Sequence, residues 1–131
     1  MQGNKTQKIV SFFGTCPANS EKTLVSERIS TPYQVDRIIA HFALNTNRTL
    51  QLDFYISPDN DAPSSGRPNG MSMLQEYGQV RYITGDDETK DLPHNARATT
   101  SPTWLKVYAK NTDGYDHTID VQIIITILPR E

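Results

Sequence analysis

The chain has 131 residues, 36% hydrophobic and 21% charged, which argues against a disordered or membrane-spanning chain and for one domain with a real core. Thirteen Lys and Arg stand against fifteen Asp and Glu, and a formal charge of −2 argues against a large non-specific nucleic-acid surface. The single cysteine, Cys16, cannot close an internal disulfide and points toward assembly in a reducing compartment.

Met1 to Gln7 reads as a polar N-terminal arm, and residues 8–131 read as one β-sandwich domain. The arm has no apolar h-region, so no signal peptide is expected. The sequons Asn4-Lys5-Thr6 and Asn47-Arg48-Thr49 are therefore read as chance matches. No apolar run approaches the roughly 18 residues a membrane helix needs. Lys8 to Phe13 (KIVSFF) is a first strand, and the breaker-rich stretch Gly14 to Asn19 is a loop. Thr23, Val25, Glu27 and Ile29 then alternate with Leu24, Ser26 and Arg28, as in a mixed edge strand that Thr31-Pro32 ends.

Gln34 to Leu44 (QVDRIIAHFAL) fits a helical stripe through Val35, Ile38, Ile39 and Phe42. It also fits a strand face through Ile38, Ala40, Phe42 and Leu44. Its Ile, Val and Phe content, with no N-cap box ahead of it, favours the strand. Asn45 to Arg48 turns tightly into Thr49 to Ser57, with Leu50, Leu52, Phe54 and Ile56 facing in and Gln51, Asp53 and Tyr55 facing out. Pro58 to Gly70 (PDNDAPSSGRPNG) is a long exposed loop, a kind that is usually functional or mobile. Met71 to Tyr77 fits a helical turn or a short strand, Gly78 breaks it, and Gln79 to Thr84 is a strand. Gly85 to Ser101 is a second long loop, acidic at its start.

Thr103 to Asn111 is a strand with Leu105, Val107 and Ala109 inward and Trp104, Lys106, Tyr108 and Lys110 outward. Asp113-Gly114 signals a hairpin to the last strand, His117 to Leu128. There Ile119, Val121, Ile123, Ile125 and Ile127 share one face, while Ile124 and Leu128 make the other face apolar too. A strand apolar on both sides lies in the middle of something: a partner or the rest of the chain covers its second face. The whole pattern predicts an all-β fold, a two-sheet antiparallel sandwich or jelly roll of about 7–8 strands.

No catalytic constellation is present. His41, His94 and His117 lack metal-type spacing, and no Gly-x-Ser-x-Gly, His-Glu-x-x-His or phosphate loop occurs. Asp59-Asn60-Asp61 and Asp86-Asp87-Glu88 could offer oxygens to calcium, but neither has EF-hand spacing, and both fit solvated turns. Cys16 has no basic neighbour to lower its pKa. No cofactor or metal is expected. The row Trp104, Lys106, Tyr108 and Lys110 could fill a protein interface, stack on a sugar, or pack as an ordinary cross-strand ladder. If the hairpin pairs the last two strands, Trp104 and Tyr108 share a face with Ile124 and Leu128, and these four form the expected interface.

The polar arm, the short alternating strands, the loop Pro58 to Gly70 and the closing strand Ile119 to Leu128 together resemble the small jelly-roll or sandwich proteins that tailed phages use as capsid-decoration or tail-accessory subunits. The resemblance implies a non-enzymatic virion protein assembled in the host cytoplasm. It would bind other protein subunits, its own copies and a major capsid or tail protein among them, as a homo-oligomer, with no nucleic acid or membrane partner. A carbohydrate-binding module, with Trp104 and Tyr108 against a glycan, is the alternative.

Overall fold

The computed structural model describes residues 6–64, 66–76, 82–100 and 102–128. Nine strands and one helical turn follow in order: β1 (Thr6–Cys16), β2 (Glu21–Val25), β3 (Tyr33–Phe42), β4 (Leu50–Ser57), β5 (Met71–Ser72), α1 (Met73–Glu76), β6 (Glu88–Pro93), β7 (Arg97–Ala98), β8 (Trp104–Asn111) and β9 (His117–Ile127). The first sheet runs β1-β9-β3-β6 with β7 beside β3, and the second runs β2-β8-β4-β5. All pairings are antiparallel.

This order is a nested winding. β4 pairs β5, β3 pairs β6, β2 pairs β8 and β1 pairs β9, and successive pairs alternate between the two sheets. One long antiparallel ribbon is thus rolled on itself, as in a jelly roll. The expected two-sheet all-β fold is what the chain forms. Of the expected strand Gln34 to Leu44, residues up to Phe42 are strand, because alternate residues Tyr33, Val35, Ile38, Ala40 and Phe42 are buried either side of one bulge at Asp36, while Leu44 lies in the turn beyond it, exposed. β9 is central in its sheet. Ile119, Val121, Ile123 and Ile125 are fully buried against Leu50, Leu52, Phe54, Leu105 and Val107 of the second sheet, in one core cluster. Burying each such side chain stabilises by about 1.5–3 kcal/mol.

Several expectations need correction. β1 runs on through Gly14 to Cys16, where a loop was expected, and β2 ends at Val25, with Ile29 making only an isolated bridge to Thr103. The acidic stretch after Gly85 is not all loop: Glu88–Pro93 and Arg97–Ala98 pair with β3. Asp113-Gly114 does not make a hairpin. β8 and β9 belong to different sheets, and the chain between them arches from one to the other. Asn111 holds the arch by donating from Nδ2 to the Cys16 and Tyr115 carbonyls, while Asp113 takes the His117 ring at 2.9 Å. Thr6 and Gln7, expected in the polar arm, pair with Ile127 and Thr126 as the first residues of β1; Met1 to Lys5 lie outside the described residues. Half of the strand expected over Gln79 to Thr84 falls outside them as well, and of Tyr82 to Thr84 only Ile83 bridges to Leu52, as an isolated pair.

Candidate interaction surfaces

Beyond half-buried Gln51 and exposed Lys110 at one end, the outward side chains of the second sheet include Asp53, Tyr55 and Ser57 on β4 and Trp104, Lys106 and Tyr108 on β8. Register places Asp53 beside Tyr108, Tyr55 beside Lys106 and Ser57 beside Trp104. Of these six all except half-buried Trp104 are buried, because the 58–70 loop folds over them. A buried charge must be paired and hydrogen-bonded or it costs several kcal/mol. The loop supplies those partners. Arg67 Nη1 donates to Asp53 Oδ2 at 2.5 Å and to Tyr55 Oη at 2.7 Å. The Ser72 hydroxyl and the Phe54 backbone N–H complete the shell of Asp53. The Arg67 guanidinium lies 4.8 Å from the Tyr108 ring centroid, a cation–π distance.

A second clamp lies alongside. Lys106, with no exposed side-chain surface, donates to Asp59 at 2.7 Å, and Asn69 donates to the other Asp59 oxygen at 3.1 Å. The Lys106 ammonium first, then Asn69, pulls the Asp59 carboxyl down to about 2. Tyr108 donates its hydroxyl to Glu21, which also accepts from the Gly66 backbone at 3.2 Å. Burial, then that carboxylate, holds the Tyr108 phenol well above the ordinary tyrosine range, and the phenol in turn lowers Glu21. Gly70, at φ +132°, lets the loop rejoin β5. A Cβ there would stand 2.7 Å from the Ile56 carbonyl oxygen.

Among the described residues, none forms such a cover over the outer face of the first sheet. Ile9 is 57% exposed and Phe13 is 76% exposed on β1. Ile9 is paired in register with half-buried Ile124, and Phe13 with Asp120. Asp36, on the bulge of β3, accepts from Thr126 and from Gln34 on the same face. Arg37 and Asp91 form an exposed ion pair at 2.8 Å toward the β6 edge.

The four expected interface residues therefore separate. Ile124 and Leu128 are half-buried at the first sheet, and Trp104 and Tyr108 belong to the second. Tyr108 is 3% exposed with Arg67 across its ring, so it offers no stacking platform for a sugar. Ile9 and Phe13 were not singled out in the sequence, although KIVSFF is apolar at both parities, the signal that marked the last strand. Arg67 and Asp53 were missed because an ion pair across 14 residues leaves no periodicity.

Among the described residues, no three His, Cys, Asp or Glu side chains group as a metal site, and no helix is long and apolar enough to cross a membrane. Cys16 is fully buried, and burial pushes its thiol pKa up, away from nucleophile chemistry.

No protein-family model matches the chain, and no curated protein matches it either. Solved structures do. The chain is similar to chains of infectious bursal disease virus: the Gt strain, at 11% identity and TM-score 0.53 over 94% of this chain and 32% of that one; the T13 viral particle, at 11% and 0.53 over 94% and 31%; and the VP2 subviral particle, at 11% and 0.51 over 92% and 32%. This chain thus spans about a third of those virus chains. At such identity the likeness establishes the shared jelly-roll fold.

Proposed function

We propose that the chain is a non-enzymatic structural subunit of a virion, a capsid-decoration or tail-accessory component of a tailed phage assembled in the host cytoplasm. In this reading it binds copies of itself and a major capsid or tail protein. The observation that carries the proposal is the apolar face of the first sheet, which no described residue covers and where Ile9, beside Ile124, and Phe13 stand exposed. An exposed apolar patch on a strand pair is a surface that another protein covers. The similar fold in chains of infectious bursal disease virus supports a shell role. Leu128 shares the parity of Ile124 and extends the contact; Trp104, half-buried at the other sheet, would touch a second neighbour.

Light scattering across a concentration series tests this. The native chain is expected to associate, and Ile9→Ser with Phe13→Ser to leave a folded monomer. A strict monomer that binds glycans on an array would replace the proposal with the carbohydrate-binding alternative.

A further inference from the structure

We propose that β1 is a dimerisation edge: two copies of the chain pair their β1 strands antiparallel about a two-fold axis centred on Ser11, joining their first sheets into one. This rests on the structural-subunit reading and names the partner as a second copy.

The four sheet edges differ in how they meet solvent. β2 is five residues long and opens on Glu21 and Lys22; β5 has two residues. β6 carries Glu88, Lys90 and Asp91 and ends on Pro93. Short length, charge and proline are the devices that keep an edge from pairing. β1 has almost none of them. It runs eleven residues without proline or acidic residue, with one lysine near its start. Its register with β9 is unbroken from Thr6 to Cys16, so no bulge twists it away. Among the described residues its backbone pairs only with β9. An open groove between residues 8–11 and residues 25–29 flanks the free side.

The side chains select both the occupant and the register. Neighbouring antiparallel strands are related by a two-fold normal to the sheet, so a self-pairing is isologous and must be self-complementary. Centred on Ser11, it sets Ile9 against Phe13 of the second copy, and Phe13 against its Ile9. Each exposed apolar side chain then covers the other, continuing the row from Ile124 through Ile9. On the inner face Val10 meets Phe12, and Lys8 meets Gly14, which has no side chain to clash. No like charges meet. Centring on Val10 would put Phe13 against Gln7, and centring on Phe12 would put Ile9 against Thr15, so both leave the apolar pair unmatched.

Ser11→Cys gives the direct test, because at the axis the two thiols face each other at a disulfide-compatible spacing. On mild oxidation the variant is expected to run as a covalent dimer on non-reducing gels. Thr15→Cys, on the same face but far from the axis, and the native chain with buried Cys16 are expected to stay monomeric on those gels. Ser11→Lys is expected to weaken dimerisation at least about tenfold by light scattering, since like charges would meet directly across the strands. Mixing it with Ser11→Asp is expected to restore the dimer. A native chain that associates while Ser11→Cys fails to cross-link would overturn the edge pairing and leave the subunit reading intact. A native chain that stays monomeric at every concentration would overturn both.

Discussion

The two outer faces of the sandwich start from the same pattern and end differently. Both belong to strands with an apolar inner row, and both offer aromatic or aliphatic side chains on the other row. Over the second sheet, the 58–70 loop turns that row into a dry, charge-clamped layer in which Asp53, Lys106 and Tyr108 are almost wholly buried. Over the first sheet nothing of the described chain folds, and Phe13 stands 76% exposed. Period-two alternation tells which residues share a face. What covers that face is decided by segments far away in sequence.

The contrast predicts that substitutions on the outer face of the second sheet, at the side chains buried beneath the 58–70 loop, change stability and leave assembly alone, while those on the outer face of the first sheet do the reverse. The largest effect is expected from Arg67→Ala, which strands the fully buried Asp53 carboxylate. Urea unfolding should show a loss of about 3–5 kcal/mol, as for other broken buried pairs. Ile123→Ala, which empties space in the shared core, should cost about 2–5 kcal/mol in the same assay; a loss under about 1 kcal/mol would mean that β9 presents its other face. Lys106→Met should cost less than Arg67→Ala. An apolar side chain of similar length fills the stem's space, and Asp59, one-third exposed, regains water.

A pH series sharpens the same point. Asp59 has a folded pKa depressed to about 2 by Lys106, so its contribution is present above its ordinary value near 3.8 and is lost as pH falls through about 2. Glu21, lowered by Tyr108, acts in the same direction. The 58–70 loop should therefore loosen between about pH 4 and pH 2, read as a change in the fluorescence of the single tryptophan, Trp104, which lies on the face that the loop covers. Asp59→Asn should flatten the profile. The smallest stability effect is expected from Phe13→Ser, within about 0.5 kcal/mol of the native chain, with association lost.

What the sequence revealed follows from this division. The strand parities of β4, β8 and β9 were legible because local alternation writes them directly. β6 was not. Glu88 to Pro93 has no apolar row of its own, and its strand state comes from pairing with residues 37–42 of β3. Asp113-Gly114 signals a turn, but whether the chain returns to the same sheet or crosses to the other depends on β2 already occupying the free side of β8. The long loop was recognisable from its prolines and glycines. Its role as a cover required knowing that Arg67 and Asp59 would meet Asp53 and Lys106. Ile124 was marked as an apolar residue on a second face, yet its exposed neighbours lie on β1, at the opposite end of the chain.

Amide hydrogen exchange at low and high protein concentration compares the two sheets in one experiment. If the first sheet is the assembly side, peptides from β1 gain protection as concentration rises, while those from β4 and β8, already sealed by the 58–70 loop, do not change. Protection in β1 that is independent of concentration, or concentration-dependent protection confined to the second sheet, would contradict it.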